Sequence, residues 1–168
     1  MSTVKQIQSR FSAERLAEIK TLVGRYPTSQ AALLPVLHLA QEDFGYLSEG
    51  TQRMVAELLD IPFMAVREVV TFYTMFHEKP DGTYLLEVCT NASCMLNGAY
   101  NLVDHLCKKL NIRVGETTAD GMFTIAEVEC AGACGGAPVV QINNAYHENV
   151  NKAHLDGFID QAKAGEGS

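Results

Sequence analysis

The chain has 168 residues, 47% of them apolar, with 13 basic and 20 acidic side chains and a formal charge of −7. With mean hydropathy near zero, this composition excludes disorder as the overall state and supplies enough apolar side chains for a sizeable core. The acidity argues against a general binder of nucleic acid or anionic membrane.

The charge and the cysteines are unevenly placed. Residues 1–80 carry 8 basic and 9 acidic side chains, whereas residues 81–168 carry 5 and 11, and all five cysteines lie between positions 89 and 134. The N-terminal stretch MSTVKQIQSRFSAERLAEIK lacks the apolar core of a secretory signal. No run approaches the roughly 18–20 apolar residues of a membrane span. The expectation is a cytoplasmic protein, in which clustered cysteines bind metal or do chemistry rather than form a disulfide framework.

In chain order, residues 12–26 place Leu16, Ile19, Leu22, Val23 and Tyr26 at helical spacing, with Ser12 as cap and Pro27 as stop. Ser29 is the expected cap of a second helix striped by Leu33, Leu37, Ala40 and Phe44. Pro35 inside it requires a kink or a later start. Residues 48–59 read as a third helix, capped by Ser48, with Met54, Val55, Leu58 and Leu59 on one side. Pro62 fits the first turn of a fourth, carrying Val66, Val69, Val70, Tyr73 and Phe76. The first half thus reads as a small helical bundle. Phe72, Tyr73 and Phe76 fit either a partner interface or a core wall against the following domain. His38 and His77 read as ordinary helix-associated histidines.

The string EKPDG, residues 78–82, marks the domain boundary, giving a helical region over 1–80 and an α/β domain over 81–168. Residues 83–89 read as a strand, followed by a loop bearing Asn91, Ser93 and Asn97. A helix then uses Leu102, Val103, Leu106 and Leu110, with Lys108 and Lys109 at its favourable C-terminal end. Phe123, Ile125 and Val128 mark the next strand. Two short strands meet at Asn143-Asn144, and a last helix from about Lys152 uses Leu155, Phe158 and Ile159. An extended piece is expected around IRVGET. The β-α-β-β-α order fits a small thioredoxin-like sheet covered by helices.

The chemistry resides in CTNASC, residues 89–94, and CAGACGGAP, residues 130–138. Each cysteine pair begins at the end of a predicted strand, so four thiolates can converge from two loops on one rigid sheet. Soft sulfur donors suit an iron–sulfur cluster, Zn²⁺ or Cu(I). Neither pair has the C-x-x-C spacing of a redox dithiol, and the long separation fits zinc fingers and ribbons less well. A [4Fe–4S] run usually places three cysteines at C-x2-C-x2-C, whereas a [2Fe–2S] centre takes two thiolates per iron and so matches two separated pairs. [2Fe–2S], zinc, another cluster and no metal all remain open on spacing alone. Cys107 lies in an apolar helical pattern and reads as a packing residue. The glycines of CAGACGG match no nucleotide-binding motif and instead allow close backbone approach to a bulky group. If the site holds a cluster, the absence of Lys and Arg from both loops, with Glu127 and Glu129 nearby, favours a low potential.

The ordered strings FYTMF, PDGTYLLEVC, CTNASCMLNG, TADGMFT and CAGACGGAPVVQIN closely resemble the 24-kDa, or E-type, family of subunits of NADH:quinone oxidoreductase, respiratory complex I. The resemblance implies an α+β chain, an N-terminal helical bundle followed by a thioredoxin-like [2Fe–2S] ferredoxin domain. It implies one cluster held by Cys89 and Cys94 on one iron and by Cys130 and Cys134 on the other. Ala131 stands where a larger leucine is common in the family. The implied role is electron transfer within an NADH-oxidising enzyme, without catalytic residues or an NADH site on this chain. The implied partners are a flavoprotein subunit carrying FMN and NADH and the other redox subunits of the peripheral arm, at the cytoplasmic side of the inner membrane. The same module resembles subunits of soluble NAD-linked hydrogenases and formate dehydrogenases. A redox sensor or a zinc-stabilised interaction module is the alternative outside electron transfer.

Overall fold

The computed structural model describes residues 11–165. The chain divides into two compact units, Met1–Pro80 and Asp81–Ser168, each with its own hydrophobic core.

Among the described residues the first unit holds four α-helices and a short 3₁₀ turn. Helix α1, Ala13–Val23, starts where Ser12 Oγ accepts the Arg15 N–H, and it ends before Pro27 is reached. Ile19 is its one fully buried residue; Leu16 and Tyr26 from the expected stripe are exposed. Arg15 ties it to the next helix by a forked pair with Asp43 at 2.7 Å. Helix α2, Leu33–Phe44, follows a short 3₁₀ turn over Gln30–Ala32. Pro35 therefore sits in its first turn, where a missing N–H removes no helical bond, and Ser29 makes no side-chain cap. Helix α3, Glu49–Leu59, is capped by Ser48 Oγ on the Thr51 N–H. It buries Thr51, Gln52, Val55, Ala56 and Leu59, and Leu58 is turned outward. Ser48→Ala is expected to lower stability by about 1 kcal/mol, readable as a shift of the urea midpoint at unchanged slope.

Helix α4, Phe63–Phe72, has Pro62 just outside its first turn. Val66 and Val70 enter the core, and Phe76 joins it from beyond the helix end. Of the three aromatic residues noted above, Phe76 is thus a core residue of this unit and Tyr73 packs partly on that core, while Phe72 is 77% exposed. The His38 ring lies 5.0 Å from that of Phe76. Gln52 is fully buried and donates to the Leu47 carbonyl at 2.8 Å and to Glu78 at 3.2 Å.

The second unit is a four-stranded sheet with helices. Strand β1 is Tyr84–Cys89, β2 Phe123–Val128, β3 Val140–Ile142 and β4 Ala145–His147, in the order β2-β1-β3-β4. Strands β1 and β2 run parallel and the other pairs antiparallel. The connection from β1 to β2 carries helices α5, Ala92–Leu96, and α6, Ala99–Leu110, while α7, Lys152–Lys163, closes the fold. Leu86, Val88, Phe123, Ile125, Val140 and Ile142 of the sheet share one core with Leu102, Leu106, Leu155 and Ile159 of α6 and α7. Cys107 packs at the edge of that core and is half-buried rather than fully enclosed.

Two details of the backbone of this unit differ from the sequence expectation. The stretch over residues 90–97 is not a plain loop but contains α5, capped by Asn91. The IRVGET segment forms no strand; it runs along β2 through one bridge, Thr117 to Thr124, with Gly115 N–H on the Ile125 carbonyl at 2.7 Å. It so occupies hydrogen-bonding groups that an edge strand otherwise leaves open. At the β3–β4 turn Asn143 takes a positive φ of 52° and its side chain bonds both the Leu85 N–H and the Thr83 carbonyl. The hairpin is thereby latched to the start of β1.

Helices α6 and α7 are joined by His105 to Asp156 at 2.8 Å, and by Lys109 to Asp156 and Asp160 at 3.0 and 3.1 Å. The hydrogen bonds from His105 and Lys109 hold the Asp156 carboxyl below its ordinary value of 3.8. A depressed carboxylate stabilises the fold above its unfolded pKa, and that contribution is lost as pH falls through the folded pKa. Asp156→Asn is expected to show a shallower loss of stability on acidification below about pH 4, measured by urea unfolding at a series of pH values.

Candidate metal centre

Strands β1 and β2 are parallel neighbours, and Cys89 at the end of one is paired with Val128 at the end of the other. Both cysteine loops therefore leave the same end of the sheet. They are laced together by Thr90 N–H on the Val128 carbonyl at 3.2 Å, Asn91 Nδ2 on the Glu129 carbonyl at 2.6 Å, and Cys89 N–H on the Val139 carbonyl at 3.1 Å. Cys94 reaches the same place from α5, and Cys134 opens a 3₁₀ turn over Cys134–Gly136.

Cys89 and Cys94 are buried, Cys130 and Cys134 exposed, and all are free thiols. The Cys89 and Cys94 thiols lie close enough to act on each other's ionisation, and Cys134 acts electrostatically on Cys94. Burial pushes the Cys89 thiol up, but N–H donors from Ala131 and Asn91, with the Cys94 thiol, outweigh it and leave Cys89 below its ordinary value. Cys94 is raised, by burial first and then by the neighbouring charge of Cys89 and Cys134, against the Val139 N–H that it accepts. Gly132 N–H points at the Cys130 sulfur at 3.4 Å.

Among the described residues no three Cys, His, Asp or Glu side chains gather around a single ion. A binuclear centre does not demand that, because it takes two ligands on each iron. The donor set fits such a centre: sulfur alone, two loops, and backbone N–H groups directed at three of the four sulfurs. The N–H donors of Ala131 and Val139 were not visible in the sequence, since they come from the second cysteine loop and the residue after it and act on the sulfurs of the first. The capping asparagine at position 91 was the available sign of the helical turn that carries Cys94.

Residues 19–163 match the profile of the family described as thioredoxin-like [2Fe–2S] ferredoxin. The chain belongs to that family. It is 44% identical over 149 residues to the second E-type subunit of NADH-quinone oxidoreductase from Rhizobium meliloti (strain 1021), with 89% of each chain covered. It is 43% identical over 154 residues to the E-type subunit of NADH-quinone oxidoreductase from Rickettsia prowazekii (strain Madrid E), covering 90% of this chain and 87% of that one. The solved structure of an NAD⁺-reducing [NiFe]-hydrogenase in the H₂-reduced state shares the fold, with a TM-score of 0.70 at 24% identity over 83% of this chain. The chain spans 23% of that hydrogenase chain. Membership covers the match from α1 to α7, so both units, and not the cysteine loops alone, belong to the family pattern.

Proposed function

We propose that this chain is the E-type electron-transfer subunit of an NADH:quinone oxidoreductase, carrying one [2Fe–2S] cluster on Cys89, Cys94, Cys130 and Cys134. The observation that carries the reading is the delivery of two cysteine pairs to one end of adjacent parallel strands, with the Gly132 N–H aimed at the Cys130 sulfur. Cys89 and Cys94 hold one iron and Cys130 and Cys134 the other. When bound, the cluster supplies reversible one-electron redox chemistry.

The protein's own contribution is to hold four sulfurs on a rigid sheet end, to keep one pair out of water, and to place N–H dipoles against the thiolates. No general acid or base is required of it. The electron partner in this reading is a flavoprotein subunit carrying FMN and the NADH site, within a peripheral arm on the cytoplasmic side of the membrane. Among the described residues no helix is long and apolar enough to cross a membrane.

Native affinity purification with metal analysis tests the assignment. The expected result is iron and acid-labile sulfide in equal amounts, with a flavoprotein subunit retained. Stoichiometric zinc without sulfide identifies an interaction module instead, and co-purifying hydrogenase or formate dehydrogenase subunits identify a different parent complex.

A further inference from the structure

We propose that Glu148 lowers the midpoint potential of the cluster by holding its carboxylate against the turn that carries Cys134. This rests on the cluster assignment made above.

Glu148 lies well beyond the second cysteine loop in sequence, after β4. The chain there folds back onto the loop through two backbone bonds, Asn149 N–H to the Gly136 carbonyl at 2.6 Å and Val150 N–H to the Pro138 carbonyl at 3.0 Å. Gly136 is buried and belongs to the same 3₁₀ turn as Cys134. A Cβ at position 136 would collide with the Glu148 side chain: it would stand 2.6 Å from Glu148 Cβ, and closer still to Cδ and Oε2. The missing side chain at 136 is what lets the carboxylate lie over the turn. The contact involves the stem as well as the tip of Glu148, so a simple swing of the carboxylate does not relieve it.

Charge gives this contact its consequence. Neither cysteine loop, residues 89–94 or 130–138, contains Lys or Arg, and residues 81–168 carry 11 acidic against 5 basic side chains. Reduction adds an electron to a centre already surrounded by thiolates, and a negative charge held over the turn that carries Cys134 opposes that step. Glu148 is exposed to solvent, so dissolved salt screens the effect. Glu148 is in this sense a positioning residue for charge, with no contact to substrate required.

The test is a redox titration of the anaerobically purified full-length chain as wild type, Glu148→Gln and Glu148→Asp, with iron and sulfide assayed on each sample. Glu148→Gln is expected to move the midpoint to more positive values, Glu148→Asp to stay nearer wild type, and the separation to shrink as salt is raised. A wild-type protein without iron and sulfide overturns the cluster assignment. A cluster-loaded Glu148→Gln with the wild-type midpoint overturns the role of Glu148 and leaves the cluster assignment standing. If Glu148→Gln loads poorly, its loaded fraction and that of Glu148→Ala are titrated, and wild-type midpoints in both overturn the proposal equally.

Discussion

Cys134→Ala is expected to give a folded protein that has lost the normal [2Fe–2S] cluster, with its visible absorption and iron and sulfide content falling to near background. The residue is chosen for its position. Cys134 is exposed, so removing its sulfur leaves no cavity in the core, and a loss of cluster is not a secondary result of unfolding. Cys89→Ala and Cys94→Ala lack that separation, because both side chains belong to the buried core beside Val88, Val139 and Val140. Cys107→Ala is the matched comparison. It removes the fifth sulfur, which packs at the core edge on α6, and it should keep full iron and sulfide. Far-ultraviolet circular dichroism establishes that both variants fold. An unchanged cluster spectrum in Cys134→Ala would remove that sulfur from the ligand set and with it the two-plus-two arrangement.

The sequence made the frame of this site readable because the signals were local. Short runs rich in apolar residues, over 83–89 and at Phe123, Ile125 and Val128, marked both strands, and a cysteine at or just past each strand end followed directly. Helix starts at Ser12 and Ser48 were readable for the same reason, since a cap and its N–H partner lie three residues apart. Helix α5 showed in the sequence only through its capping residue, Asn91. Its five residues are too few to show a repeating stripe, and Cys94 is the only one that is buried. Leu58 and Phe72 mislead in the opposite way: each is apolar and near a buried stripe, yet the helix turns it outward. The N–H groups of Ala131 and Val139 on the first cysteine loop's sulfurs, and Glu148 over Gly136, arise only when separate segments meet. Composition could locate the acidity in this half of the chain. It could not say which carboxylate is held against a cysteine turn.

Phe123→Ala is expected to lower the stability of the second unit by about 3–5 kcal/mol, the usual cost of emptying a buried phenylalanine site. Phe123 has no exposed surface. Its ring stacks on Tyr84 at 5.5 Å, and the two residues are register partners on the parallel pair β2 and β1. Phe123→Leu retains much of the volume and should cost less, which separates loss of packing from a general intolerance of change. Urea unfolding measures both effects. Leu37→Ala in the other core, where the side chain is also fully buried, should cost about 2–5 kcal/mol while leaving the iron and sulfide content unchanged. Phe123 is different because β2 is the strand whose far end launches the loop with Cys130 and Cys134. A cluster that binds only the folded unit stabilises it by mass action. The iron-depleted Phe123→Ala protein should therefore unfold at the lowest urea concentration of the four forms, wild type and variant, loaded and depleted. If loaded and depleted Phe123→Ala unfold together, the cluster is not coupled to this sheet, and the rigid strand ends are not what holds the sulfurs in place.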